Sequence, residues 1–217
     1  MAKAGVKQGQ PLRIAVEGVI GVGKTTLARA IAERIGAVLL GEDELSNPFL
    51  SLFYQKPARY ALACQLWFLE ARLRQYAGNI PVGVPVVADH SLVKEPLFAT
   101  VNLSGDELEL YQRLYNRLAP QAAFKPDVTI FLTASLAEVR ERIRKRGRRI
   151  EDVIDTNYLE QLVDAYSAWF DMDHARDRIV VVNADGDGIA QDPEAVGRLV
   201  EACMVAPHGI SYCNPEG

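Results

Sequence analysis

A glycine-rich run near the start of the chain has the residue types and the spacing that bind phosphate groups. Gly18, Gly21 and Gly23 lead into Lys24 and Thr25 in the pattern G-x-x-x-x-G-K-[ST]. Glycines allow the backbone to curl so that successive N–H groups converge on phosphate oxygens. A lysine at this place reaches the β- and γ-phosphates, and the Thr25 hydroxyl can ligate Mg²⁺. The run therefore predicts a site for a nucleoside triphosphate such as ATP.

The residues on both sides of this motif predict a strand before it and a helix after it. Residues 12–16 are apolar, and residues 24–35 have helical spacing with Thr26 in the first turn. The N-terminus of a helix carries partial positive charge, which favours bound phosphate. A chance glycine-rich turn is the alternative, but a strand followed by the motif and a helix is the context of a phosphate-binding loop. We therefore include Thr26 in the predicted nucleotide site.

Carboxylates follow two other predicted strands. Asp89 directly follows the predicted strand 84–88. In a protein with a phosphate loop, a carboxylate at this place is expected to hold Mg²⁺, directly or through water. A helix cap is the alternative interpretation of Asp89. The apolar residues 37–40 are followed by three carboxylates, Glu42, Asp43 and Glu44. These residues form either a solvated turn or a site where one carboxylate accepts a proton from a substrate hydroxyl.

Two further groups of side chains have the chemistry of a nucleotide site. Residues 140–149 contain seven Lys and Arg side chains. Three interpretations are open: a solvated helix face, a nucleic-acid patch, or a loop that closes over a triphosphate. Beside a phosphate loop the last interpretation is favoured, because arginine matches phosphate oxygens and neutralises developing charge. Gln65 and Arg72 lie seven residues apart on one face of a predicted helix. They suit a flat, hydrogen-bonding ligand such as a base, or else form a partly exposed amphipathic face.

The elements that must position these side chains alternate along the chain. Predicted strands alternate with predicted helices, which indicates a doubly wound α/β fold with five parallel strands and helices on both faces. The predicted strands are 12–16, 37–40, 84–88, 127–132 and 178–182, and the predicted helices are 24–35, 57–78, 105–118, 135–146, 156–171 and 192–204. We expect one domain over residues 1–217, with loose termini at 1–11 and 205–217.

Composition excludes several classes of function. A net charge of −4 over 217 residues does not suit a nucleic-acid binder, and no apolar run is long enough to span a membrane. Three cysteines without a C-x-x-C spacing favour a reducing compartment, so we expect a cytoplasmic protein.

The ordered motifs resemble the deoxynucleoside kinase family, in its bacterial deoxyadenosine and deoxyguanosine branch. The similarity extends from about residue 12 to about residue 172. The motifs are Glu-Gly-x-x-Gly-x-Gly-Lys-Thr-Thr (17–26), Asn-Pro-Phe-Leu-x-x-Phe-Tyr (47–54), the Gln65/Arg72 helix, Asp-x-Ser (89–91), Arg-Lys-Arg-Gly-Arg (144–148) and Tyr-Leu-Glu (158–160). The resemblance implies a P-loop kinase fold, ATP and Mg²⁺, a deoxynucleoside acceptor that is a purine, and a homodimer.

The resemblance also implies the roles of individual residues. Glu42 matches the carboxylate that takes the proton from the sugar 5′-hydroxyl, and Gln65 matches the residue that contacts the base edge. The other matches are Arg72 with Glu95 beside the base, Tyr54 with Glu160 at the 3′-hydroxyl, and the lid arginines Arg142, Arg146 and Arg148.

The chain departs from the family pattern at three positions. His90 stands where the family has arginine, Asp43 where it has proline, and Glu95 where aspartate is usual. Two other functions stay open: a nucleoside monophosphate kinase similar to thymidylate kinase, and a degenerate kinase that only binds nucleotide and regulates. The residues matched to a 3′-hydroxyl disfavour the first, and the intact Lys24 and Thr25 disfavour the second.

Overall fold

The fold is built on one sheet of six parallel strands in the order β2-β3-β1-β4-β5-β6. A computed structural model describes residues 11–41, 46–78, 80, 83–122, 124–148, 154–186 and 188–215. The strands are β1 (Arg13–Glu17), β2 (Val38–Leu40), β3 (Val86–Ala88), β4 (Val128–Thr133), β5 (Arg178–Asn183) and β6 (Gly209–Cys213). The predicted α/β fold with a parallel sheet is confirmed.

Helices connect successive strands and cover the sheet. They are α1 (Lys24–Ile35), α2 (Leu50–Gln55), α3 (Pro57–Ala77), α4 (Lys94–Asn102), α5 (Gly105–Leu118), α6 (Leu136–Arg146), α7 (Thr156–Phe170) and α8 (Pro193–Val205). One turn of 3₁₀ helix, Ala119–Gln121, follows α5. The six predicted helices are confirmed to within one residue at each end, whereas α2 and α4 were not predicted.

The central position of β1 determines where the functional loops meet. β1 pairs with β3 on one side and with β4 on the other, with Ala15 opposite both Ala88 and Thr129. Ile14, Ala15 and Val16 have no exposed surface, as expected for a strand covered on both faces. The loops that follow β1, β3 and β4 therefore leave the sheet side by side at its carboxyl edge, where ligands bind in folds of this kind.

The buried apolar residues of the described chain form separate clusters. The largest lies on the sheet and includes β1, β4 and β5. A second lies among α2, α3, α4 and α5, and Phe53, Leu69 and Tyr111 are among its buried members. Tyr158 of α7 packs against both clusters.

The C-terminal segment corrects the sequence prediction. Residues 205–217 were expected to be loose, and the sheet was expected to have five strands. Gly209–Cys213 instead form β6, which pairs in parallel with β5, Arg178 opposite Gly209 and Val182 opposite Cys213. The strand is short and flanked by proline, so its own sequence signal is weak. It forms because the free edge of β5 offers unpaired N–H and C=O groups.

Candidate active site

The loop after β1 has the backbone shape that a phosphate site requires. Gly18 and Gly21 have φ values of 141° and 83°, which side chains rarely adopt. A Cβ atom on Gly18 would lie 2.5 Å from the carbonyl oxygen of Leu132, and one on Gly21 would lie 2.7 Å from the side chain of Ile143. Glycine is therefore needed at both positions, because the loop is pressed against β4 and α6.

The ammonium group of Lys24 is bonded to the backbone of this loop. The residue is 8% exposed, and its Nζ donates to the carbonyl oxygens of Gly18 and Val19, each at 2.9 Å. The helix α1 begins at Lys24 after Gly23, so no side chain caps its first N–H groups. An uncapped helix N-terminus next to an ammonium group is a site for an anion.

Thr25 and Asp89 bring the ends of β1 and β3 together. The Thr25 hydroxyl donates to Oδ2 of Asp89 at 2.7 Å. Mg²⁺ prefers hard oxygen ligands and is usually held by one or two protein oxygens together with substrate phosphates. The donor set of a hydroxyl and a carboxylate fits that ion. Among the described residues no group of three or more His, Cys, Asp or Glu side chains forms a denser metal site.

The phosphate loop borders a cavity of about 380 Å³. Lys24, Thr25, Thr26 and Asp89 contribute to its wall. On the opposite side it is lined by Ala184, Gly186, Ile189, Ala190 and Gln191, which follow β5. A cavity that joins a phosphate loop to a less polar wall has the shape needed for a nucleotide.

Two of the three predicted lid arginines, Arg142 and Arg146, line this cavity. The guanidinium of Arg142 donates to the carbonyl oxygens of Val22 at 2.7 Å and Ala184 at 2.6 Å, and Glu138 accepts from its Nε at 2.9 Å. Arg142 thereby connects the phosphate loop to the segment after β5. Arg148 follows the end of α6 and is partly buried, outside the described lining of the cavity.

Gln65 and Arg72 on α3 and Glu95 on α4 are buried polar residues. Their exposed fractions are 4%, 5% and 0%. Arg72 forms an ion pair with Glu95, and the Tyr111 hydroxyl donates to the other carboxylate oxygen. Burial raises the pKa of Tyr111, so the phenol stays protonated and remains a donor. The predicted pairing of Arg72 with Glu95 is thus present, and Tyr111 is a partner that the sequence did not reveal.

The helices that bear Tyr54 and Glu160 are neighbours. Tyr54 lies on α2 beside Phe53, whose ring centroid is 6.3 Å from that of Tyr158 on α7. Glu160 is exposed, two residues further along α7. Glu42 lies outside the described residues, so its role stays a prediction.

Glu17 is a second residue whose contacts were not predicted. It is fully buried at the end of β1. Its carboxylate accepts from the backbone N–H of Ser91 at 2.5 Å, from that of Gly18 at 3.3 Å and from the Tyr166 hydroxyl at 3.1 Å. A charged residue that ends a buried strand is the one sequence signal for such a position. Glu17 links the phosphate loop, the loop after β3 and α7.

The fold and the phosphate site define the class of protein. P-loop kinases combine three features that this chain has. The phosphate loop follows a central strand of a parallel sheet, a carboxylate follows the neighbouring strand, and arginines line the cavity. Within this class the chain belongs to the deoxynucleoside kinase family, because residues 14–205 match the model of that family, described as "Deoxynucleoside kinase". The chain is therefore a transferase of the kinase type.

Individual relatives and solved structures agree with this family. A deoxyguanosine kinase of Bacillus subtilis is 36% identical over 179 residues, which cover 80% of this chain and 86% of that protein. A deoxyadenosine kinase of Dictyostelium discoideum is 30% identical over 207 residues, 93% of this chain and 83% of that protein. The structure of a deoxyadenosine kinase from M. mycoides with bound dCTP is similar with a TM-score of 0.78 and 25% identity, covering 88% of this chain and all of that one.

Proposed function

We propose that the chain transfers the γ-phosphoryl group of ATP to the 5′-hydroxyl of a purine deoxynucleoside, with Mg²⁺ as cofactor. The observation that supports this most directly is the presence of two distinct polar sites. The phosphate loop with Thr25 and Asp89 serves the triphosphate, and the buried Gln65 together with the buried Arg72–Glu95 pair serves the base. The similar proteins named above act on deoxyguanosine and deoxyadenosine by name, which supports a purine acceptor.

The proposed reaction assigns a task to each residue. Lys24 and the N–H groups at the start of α1 bind and orient the β- and γ-phosphates. Thr25 and Asp89 would hold Mg²⁺, which when bound would neutralise charge on the phosphates. Glu42 accepts the proton of the 5′-hydroxyl as its oxygen forms a bond to the γ-phosphorus, and ADP leaves. Arg142, Arg146 and Arg148 neutralise the charge that develops on the transferred group.

The acceptor site positions the deoxynucleoside in this proposal. Gln65 offers a donor and an acceptor in one plane, which match a base edge. Arg72 lies two turns further along α3 and is held in place by its ion pair with Glu95. Tyr54 and Glu160 bind the 3′-hydroxyl. A thymidylate-kinase-like reaction is not favoured, because the named relatives phosphorylate nucleosides.

The test offers the purified protein ATP, Mg²⁺ and each deoxynucleoside and deoxynucleoside monophosphate separately, with products identified by mass. We expect deoxyguanosine or deoxyadenosine to yield the 5′-monophosphate and the monophosphates to remain unchanged. A diphosphate product would support the thymidylate-kinase-like function. A protein that binds ATP but phosphorylates none of these acceptors would support the regulatory alternative.

We also propose that the protein acts in the cytoplasm as a homodimer. Leu110, Leu114 and Leu118 share one face of α5, and the exposed fractions of the first and last are 39% and 36%. Such a leucine face favours association with a second copy. Sedimentation of the protein with and without the change Leu114→Glu tests this, since the charge should convert a dimer to monomers.

Among the described residues no helix has the length and apolar character that would cross a membrane.

A further inference from the structure

The carboxylate of Asp89 is contacted on both of its oxygens. Oδ2 accepts from the Thr25 hydroxyl at 2.7 Å, and Oδ1 lies 3.0 Å from Nδ1 of His90. The terminal torsion of an aspartate side chain is broad, so a contact to one oxygen leaves the plane of the carboxylate free to turn. A second contact, to the other oxygen, fixes that plane.

His90 is itself packed tightly and does not line the cavity at the phosphate loop. It has no exposed surface, and its ring stacks on Tyr76 with centroids 5.4 Å apart and planes inclined by 3°. The Tyr76 hydroxyl donates to the backbone oxygen of His90 at 2.9 Å. The described wall of the phosphate cavity includes Asp89 but not His90. The ring therefore packs against Tyr76 and does not line that cavity.

The contacts of the ring define which nitrogen bears the proton. A carboxylate only accepts hydrogen bonds, so Nδ1 must be the donor to Asp89. Nε2 is buried and has no hydrogen-bond partner among the described residues. His90 is therefore a donor to Asp89 through Nδ1.

We propose that His90 is a positioning residue that fixes the carboxylate of Asp89 so that it faces Thr25 and the Mg²⁺ of bound MgATP. This inference rests on the proposed function, because it assigns Asp89 to the metal. It also gives a role to the position at which the chain departs from the arginine of its family. Here the residue acts on the metal ligand by a hydrogen bond from Nδ1.

Two substitutions separate positioning from simple packing, because they keep different parts of the histidine. His90→Phe keeps a flat ring against Tyr76 but removes the donor. His90→Asn keeps an N–H group near the place of Nδ1 but removes most of the ring. Positioning requires the asparagine variant to be the better metal binder, and packing requires the phenylalanine variant to be better. His90→Gln, whose amide reaches nearer to Nε2, is a control for a misplaced donor.

The measurement is the affinity of the protein for Mn²⁺ in the presence of ATP and without nucleoside, followed by electron paramagnetic resonance. We expect His90→Phe to weaken Mn²⁺ affinity by about 10-fold or more, the usual effect of losing a group that orients a metal ligand. His90→Asn should recover most of that loss. Wild-type affinity in His90→Phe, or weaker binding by His90→Asn than by His90→Phe, would overturn the proposal.

A measurement on the unaltered protein keeps the proposal testable if the variants do not fold. The chain has three histidines, so the ring nitrogens can be resolved in ¹H–¹⁵N spectra. We expect Nδ1 of His90 to carry a proton, and an Nδ1 without a proton would contradict the proposal. These readings are separate from the proposed function, whose failure would appear as a wild-type protein that phosphorylates no deoxynucleoside.

Discussion

Thr25 and Asp89 share a hydrogen bond of 2.7 Å although 64 residues separate them in the sequence. The contact exists because β1 and β3 are adjacent and parallel, so that the loops after them meet. It joins the hydroxyl of the phosphate motif to a carboxylate that no local pattern connects to it.

Asp89→Asn should reduce turnover by about 10² or more, since the amide has nearly the same shape but cannot neutralise a cation. The concentration of Mg²⁺ needed for half-maximal rate should rise as well. Steady-state rates across a Mg²⁺ titration measure both effects. Asp164→Asn, at an exposed position of α7, is the matched control and should behave as wild type. Equal Mg²⁺ requirements in the two variants would remove Asp89 from the metal site.

Lys24→Met should reduce turnover by about 10² or more, a loss of roughly 3 kcal/mol of transition-state stabilisation. Methionine keeps much of the buried stem, so the fold should persist although the bonds to Gly18 and Val19 are lost. Lys56→Met, at an exposed lysine, is the control. Rates and thermal unfolding are measured together. Full activity in folded Lys24→Met would rule out the phosphate-binding role.

Glu42→Gln should lower turnover by about 10² with a smaller change in the KM for nucleoside, because glutamine cannot accept a proton. Glu44→Gln, two residues away, is the matched control and should be close to wild type. If the two variants exchange these behaviours, the catalytic base is Glu44.

Gln65→Leu should raise the KM for the nucleoside about tenfold or more, since a base edge would lose its partner in a buried site. The KM for ATP should stay nearly constant. Gln112→Leu, at an exposed position of α5, controls for the loss of an amide. A selective loss of ATP affinity would instead assign α3 to the donor site.

Arg72→Met should reduce the free energy of unfolding by about 3–5 kcal/mol, because it leaves the charge of Glu95 buried without its partner. Arg113→Met breaks an exposed pair with Glu109 and should cost less than about 1 kcal/mol. Adding Glu95→Gln to Arg72→Met should restore part of the loss. Chemical denaturation of wild type, Arg72→Met, Glu95→Gln and the double variant measures the coupling, with Arg113→Met as a separate control. Strict additivity would show that the two residues do not interact.

Short-range patterns predicted most of the fold. Buried parallel strands such as β4 are apolar and β-branched, and long helices such as α3 have clear boundaries. The misses have physical causes. α2 has only six residues, and Pro96 in the first turn of α4 is tolerated there, although proline alone suggests a break. β6 depends on the edge of β5 rather than on its own residues.

The candidate site likewise has a part that local sequence patterns predict and a part that they do not. The phosphate loop is contiguous in sequence, so its spacing was enough to predict Lys24 and Thr25. Other contacts of the site join residues that are separated in the chain. Examples are the hydrogen bond from Tyr111 to Glu95 and those that Glu17 accepts from Ser91 and Tyr166. Such contacts depend on which helix lies against which strand, and one sequence has no local signal for that.

The division of the apolar core has an evolutionary consequence. The helix that bears Gln65 and Arg72 packs around its own cluster, while the phosphate loop rests on the sheet cluster. Substitutions that reshape the proposed base site can therefore accumulate without repacking the strand that presents Lys24 and Thr25. A lineage with this architecture could then diversify its acceptors while it inherits one unchanged apparatus for handling the triphosphate, and Tyr158, which packs against both clusters, joins the two parts.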